Sequence, residues 1–169
     1  ATSYIPTQGS AVTRVQDACN NGANEQVINS TEGVLMAEFK GLADGGANRY
    51  ISISDRTANN RIQLVLSNSP ASRFQATGTT FSAINYDSFA QTENNKVAFV
   101  YSALGVKLFV NGFLVGSNTD NASFPANSLT SLDFALYNQT SAPFYGNCKD
   151  LRVYTTALTD AELIALTTL

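Results

Sequence analysis

The stretch KLFVNGFLVGS (107–117) decides the fold of this chain. Asn111-Gly112 interrupts a run of alternating residues, and an Asn-Gly pair supplies the two consecutive positive-φ positions that a two-residue hairpin turn needs. Val106, Leu108 and Val110 point one way and Lys107 and Phe109 the other. The stretch therefore reads as two antiparallel strands joined tightly.

Outward from this hairpin the same period recurs. Leu35, Ala37 and Phe39 alternate with Met36, Glu38 and Lys40, and Ile51 and Ile53 with Tyr50, Ser52 and Ser54. Ile62, Leu64 and Leu66 oppose Arg61, Gln63 and Ser67; Val97, Phe99 and Tyr101 repeat the pattern. Leu132, Phe134 and Leu136 form a further run, and Leu151 and Val153 stand opposite Arg152 and Tyr154. Turn clusters at 43–48, 55–60, 94–95, 118–121 and 138–143 separate these runs. Many short strands divided by turns indicate an antiparallel sandwich or barrel.

The end of the chain departs from this pattern. In ALTDAELIALTTL (157–169), Thr159 followed by Glu162 is a capping box, and Leu158 with Leu163 a hydrophobic staple. One short C-terminal helix is predicted. The beginning, ATSYIPTQGSA (1–11), is an extended junction in which Pro6 holds Ile5 away from helical geometry. It carries neither the basic nor the apolar segment of a secretory leader. Val12–Val15 reads as a short strand expected to pair with KDLRVY (149–154). With no repeat and no change of composition, residues 1–169 read as one domain.

Composition narrows the function. A chain of 169 residues buries enough surface to need no metal or disulfide staple. Only 14% of residues are charged, and Asn, Ser and Thr carry the polarity, which favours strands and turns over helices. A net charge of −3 without a basic stripe excludes a nucleic-acid partner, because phosphate recognition needs clustered Lys and Arg. Val97–Gly116 is broken by polar residues and Gly, so no membrane-spanning helix is expected. The chain has no histidine, which removes the commonest general base, the commonest metal ligand and the Ser-His and Cys-His nucleophile systems. Cys19 and Cys148 leave two readings open. They are separate thiols, or they form a bridge closing a long loop, worth about 4–5 kcal/mol in the chain-entropy view.

Three stretches carry a resemblance. LFVNGFLVGS (108–117) resembles the hairpin of laminin-G-like and pentraxin-like domains, and KDLRVYTTALTDAEL (149–163) the closing strand and helix of the same concanavalin A-like family. ATSYIPTQGSAVTRVQD (1–17) is similar to a junction in bacteriophage tail and tail-fibre proteins that leads into a laminin-G-like domain. The resemblance implies an all-β, antiparallel two-sheet jelly-roll sandwich, concanavalin A-like, with one short C-terminal helix. It also implies a place on a virion tail or outside the cell.

Concanavalin A-like sandwiches include glucan hydrolases bearing a strand motif E-x-D-x-x-E, and this chain has none. A retaining glycosidase needs two carboxyls about 5 Å apart. Glu38 in LMAEFKG (35–41) stands alone beside Lys40 and reads as part of a solvated face, while Glu25, Glu32, Glu93 and Glu162 fall in turns or in the capping box. A non-catalytic domain is expected.

A binding module instead needs aromatic platforms and planar polar groups carried on a rigid scaffold. DRTANNR (55–61) gathers Asp55, Arg56, Asn59, Asn60 and Arg61 in one turn, and arginine suits carboxylated glycans because it binds carboxylate bidentately. Tyr86, Tyr137, Asn138 and Tyr145 complete the candidate ligand residues; tryptophan is absent. Related jelly rolls hold calcium at a rim, which makes Asn118, Asp120 and Asp44 the candidate ligands. Each of those loops offers one carboxylate, fewer than a hard cation prefers. No other cofactor is expected. The implied partner is a surface glycan or another bacterial surface structure, held through avidity if the parent fibre is a homo-oligomer. Two alternatives stand beside this reading: a structural virion domain without ligand, and a carbohydrate-binding module of a secreted glycan-active enzyme.

Overall fold

The computed structural model describes residues 27–42, 48–67, 72–78, 80–138 and 140–169. The expected strand Val12–Val15, the junction 1–11, Cys19 and Asp44 lie outside these residues. Among the described residues ten strands and one helix follow in order: β1 (Gly33–Gly41), β2 (Arg49–Ser54), β3 (Arg61–Leu66), β4 (Ser72–Thr77), β5 (Phe81–Tyr86), β6 (Asn95–Ser102), β7 (Gly105–Val110), β8 (Phe113–Asn118), β9 (Ser131–Asp133), β10 (Gly146–Tyr154) and α1 (Asp160–Thr167).

The strands form two antiparallel five-stranded sheets, ordered β10-β1-β6-β7-β8 and β5-β4-β3-β2-β9. Together they make the jelly-roll sandwich implied by the resemblance. The inward residues of both sheets build one core. It contains Leu35, Ala37 and Phe39 of β1, Ile51 and Ile53 of β2, Ile62, Leu64 and Leu66 of β3, and Val97, Phe99 and Tyr101 of β6. These are the residues that the alternation placed on common faces. The Asn111-Gly112 turn adopts φ of 50° and 86°, as the hairpin chemistry requires. Gly105 has φ 113°, and a Cβ there would lie 1.9 Å from the Asn118 carbonyl oxygen. Only glycine permits β7 and β8 to approach so closely at that end.

Two strands escaped the reading by alternation. β4 (SRFQAT) and β5 (FSAINY) place Phe74, Ala76 and Ile84 in the core, with Ser82 buried beside them. Each carries too few large apolar residues for the period to stand out. The run Leu132–Phe134–Leu136 pairs with β2 only as far as Asp133. Beyond it the chain closes on itself, with Leu136 N–H donating to the Ser141 carbonyl at 3.0 Å and Phe144 N–H to that of Phe134 at 2.8 Å. That self-pairing withdraws Phe134 and Leu136 from the sheet.

The two outer faces are treated differently. On the first sheet, Val34, Met36, Ala98, Val100 and Phe109 form a second, smaller core against Leu163 of α1. The helix begins as expected: Thr159 Oγ1 accepts from Glu162 N–H, Glu162 Oε2 accepts from Thr159 N–H at 2.8 Å, and Leu158 packs beside Leu163. Glu38 corrects the expectation of a solvated face. Its side chain is only 7% exposed and is held by Lys149 Nζ at 2.8 Å and Asn94 Nδ2 at 3.0 Å, not by Lys40. The Lys149 and Asn94 hydrogen bonds hold its carboxyl below the usual range. No helix among the described residues lies above the outer face of the second sheet. There the segment after β9 folds partly across the strands, anchored by Ser52 Oγ donating to the Ala135 carbonyl at 2.7 Å.

Candidate functional site

Between that segment and the outer face of the second sheet lies a cavity of about 290 Å³, lined by Asn48, Tyr50, Arg61, Gln63, Val65, Ser67, Arg73, Gln75, Leu136 and Tyr137. Its floor follows from register. Ile62 and Leu64 face the core, so Arg61, Gln63 and Val65 face out; Phe74 and Ala76 face in, so Arg73 and Gln75 face out. Gln63 stands opposite Gln75, and Val65 opposite both Arg73 and Tyr50. Arg61 and Arg73 therefore flank the glutamine pair from opposite ends, their backbones about 13 Å apart along the strands.

Each end pairs a guanidinium with a tyrosine. Arg61 lies over the Tyr137 ring, 5.3 Å from its centroid, an arrangement stabilised by the ring quadrupole. Its Nε–H donates to Gln63 Oε1 at 2.9 Å, and a terminal amino group donates to the Ala58 carbonyl. Arg61 is thus pinned on three sides. At the other end Arg73 donates through Nε to Asn85 Oδ1 at 3.3 Å, and its two terminal amino groups have no partner among the described residues. Tyr50 lies at that end, accepting from Asn48 Nδ2 at 3.3 Å. No carboxylate is among the described residues lining the cavity, in a chain whose net charge is −3. The cavity is a positive depression in an acidic protein, with the planar and aromatic groups that suit a sugar.

The expected ligand residues separate in space. Arg61 and Tyr137 come together in the cavity. Asp55 spends its carboxylate on the turn, accepting from Thr57 N–H at 2.7 Å and from Asn60 Nδ2 at 2.8 Å. Burial pushes the Asp55 carboxyl up, but the Thr57 and Asn60 hydrogen bonds outweigh it and leave it below its ordinary value. Arg56, with φ 66°, and Asn59 lie exposed on the tip of the same turn. Asn138 holds its own turn, its Oδ1 accepting from Ser141 N–H at 3.1 Å. Tyr86 packs edge-on to Phe89 against the core, away from the cavity. Tyr145 is 60% exposed at another rim, under the Arg49 guanidinium.

Among the calcium candidates, Asn118 Oδ1 accepts from Asp120 N–H at 2.7 Å, so that oxygen serves the turn. No group of three acidic or thiol side chains able to hold a metal occurs among the described residues. Cys148 donates to the Asp150 carbonyl at 3.4 Å, and burial pushes its thiol pKa up. No helix among the described residues is long and apolar enough to cross a membrane.

Gln63, Gln75 and Arg73 were not among the expected site residues. The signal for Gln63 is present in the sequence, as an amide at an outward position between Ile62 and Leu64. Arg73 and Gln75 become visible only once β4 is recognised.

The fold is shared with proteins of known structure. The sialidase CBM40 of Ruminococcus gnavus, bound to α2,3-sialyllactose, superposes with a TM-score of 0.69 at 20% identity, covering 87% of this chain and 86% of that one. Domain 4 of AbnA, an extracellular GH43 arabinanase from Geobacillus stearothermophilus in complex with arabinotriose, gives 0.66 at 19% identity, covering 85% and 69%. A leech intramolecular trans-sialidase gives 0.66 at 21% identity over 87% of this chain, but only 24% of its own. A search of curated proteins finds no match. The family model Laminin_G_3, described as concanavalin A-like lectin/glucanases superfamily, matches residues 23–164, and the chain belongs to that family.

Proposed function

We propose that this domain is a non-catalytic glycan-binding module whose ligand is an acidic, carboxylate-bearing sugar held on the outer face of the β5-β4-β3-β2-β9 sheet. The carrying observation is the cavity, with two guanidiniums, two tyrosines and no described carboxylate. Arg73 offers two terminal amino groups without a partner among the described residues, the fork that matches a carboxylate bidentately. Arg61 and Tyr137, pinned to each other, form a preorganised wall at the far end. Solved relatives of the fold carry sialyllactose or arabinotriose, which is consistent with a sugar in such a place.

The reading is tested by titrating the protein with α2,3-sialyllactose and with lactose. Saturable binding of the first and little of the second is expected. Failure of every acidic glycan on an array to bind the folded domain would overturn it. A catalytic role finds no support in the carboxylates: Glu38 is engaged by Lys149 on the opposite sheet, and Asp55 by its own turn.

The likeness of residues 1–17 to a phage-tail junction supports display on a tail fibre or related surface protein, where several weak sites act together on a host surface. A glycan-degrading catalytic domain in the parent chain would favour the secreted-enzyme reading instead.

A further inference from the structure

Four buried side-chain polar atoms among the described residues have no hydrogen-bond partner: Gln63 Nε2, Thr77 Oγ1, Ser82 Oγ and Ser128 Oγ. Of these residues only Gln63 lines the cavity. Its Oε1 accepts from both Arg61 Nε at 2.9 Å and Gln75 Nε2 at 2.7 Å. Two donors converging on one end of the amide fix its orientation, because a flipped amide would set its NH2 against both. Nε2 is therefore left without an acceptor among the described residues, on a residue only 1% exposed. A fold seldom leaves such a donor bare without a reason elsewhere.

Register supplies the reason. Gln63 opposes Gln75, and Arg73 opposes Val65, so Gln63 and Arg73 are diagonal neighbours on one face of an antiparallel pair. Diagonal backbones lie about 7–8 Å apart, within the span of two long side chains. We propose that Gln63 is the specificity residue of the site: its Nε2 donates to the ligand carboxylate that the Arg73 fork receives, with Gln75 and Arg61 as the positioning residues that lock the amide. This rests on the acidic-glycan reading above. Under it, the unpaired donor is complementary to an acceptor that only the ligand brings.

The test is Gln63→Glu, combined with nitrogen-15 NMR of the Gln side-chain amides. Glutamate keeps the shape and still accepts from Arg61 and Gln75, so thermal stability is expected to hold. It replaces the donor with a negative oxygen, so affinity for α2,3-sialyllactose is expected to fall at least about tenfold. In the wild type, sialyllactose is expected to move the Gln63 side-chain amide resonance downfield, a response that a merely structural glutamine would not give and that does not depend on the variant folding. Sialyllactose binding with an unmoved Gln63 amide, or with unchanged Gln63→Glu affinity, overturns the role of Gln63 alone. No acidic-glycan binding by the wild type overturns the site reading and this inference together.

Discussion

Arg73→Ala separates recognition from folding most cleanly. Arg73 is exposed on β4 and, among the described residues, makes one side-chain hydrogen bond, to Asn85 at 3.3 Å. Removing it leaves no buried group unpaired, so the fold should change by less than about 0.5 kcal/mol, as for an ordinary surface substitution. The ligand loses much more. A hydrogen bond to a charged group contributes about 1.5–3 kcal/mol, and a carboxylate facing an unengaged guanidinium fork would take up that interaction on binding. The corresponding increase in Kd is about 10- to 150-fold.

Isothermal titration of wild type and variant with α2,3-sialyllactose measures this change, and scanning calorimetry checks the fold. Arg73→Lys should fall between the two, since lysine keeps the charge but not the planar fork. All three affinities should converge as salt rises, because an exposed guanidinium is screened. Arg61→Ala should behave differently. Arg61 also supports Gln63, Ala58 and the Tyr137 ring, so stability and affinity should fall together. An Arg73→Ala protein with native melting and unchanged affinity at low salt would refute the assignment of the carboxylate to β4.

Three further outcomes test the scaffold. Thr159→Ala removes the N-cap of α1 and should cost about 1 kcal/mol, read as a melting temperature lowered by about 2–4 °C. Gly105→Ala puts a Cβ against the Asn118 carbonyl at φ 113°, and should destabilise by at least about 2 kcal/mol in urea unfolding. Glu38 has a folded pKa below its ordinary 4.5, so its stabilising effect is full above that value and is lost as pH falls through the lowered one. Glu38→Gln should flatten the acid limb of a melting-temperature profile, and Lys149→Met should shrink it.

What the chain discloses before folding depends on how many residues share a signal. Nine or more alternating positions across β1, β3 and β6 all agree on their faces, and a one-residue slip would turn every one of them outward. The hairpin and the capping box are legible because single residues there have few substitutes: positive φ at Asn111-Gly112, and the reciprocal bonds of Thr159 and Glu162. β4 and β5 are silent because Ala, Ser and Gln fill positions that Val or Ile would have marked. The site was half visible for a related reason. DRTANNR concentrates polar groups in sequence, yet most of them are spent on the turn, and only Arg61, its last residue, reaches the cavity. Gln63 and Arg73 stand ten residues apart in the chain and become diagonal neighbours only through β3–β4 pairing, which no local window reports.

The choice of face follows from how the sandwich disposes of its two outer surfaces. An outer face made of Val34, Met36, Ala98, Val100 and Phe109 must be covered, and α1 covers it with Leu163. A ligand there would have to displace a helix that completes a hydrophobic core. The other outer face carries Gln63, Gln75, Arg61 and Arg73, which no apolar element could cover without stranding their hydrogen-bonding groups. The segment after β9 covers part of it and satisfies what it touches, as Ser52 does with Ala135. The part left open is the part where, among the described residues, the Gln63 amide nitrogen and the two terminal amino groups of Arg73 have no partner. Substituting Gln63 and Arg73 together should therefore reveal their coupling. If both hold one carboxylate, the double variant should lose less affinity than the product of the two single losses, because each donor works on a group the other has positioned. Simple multiplication of the two losses would place them on separate ligand groups, and would break the shared-carboxylate arrangement while leaving the site where it is.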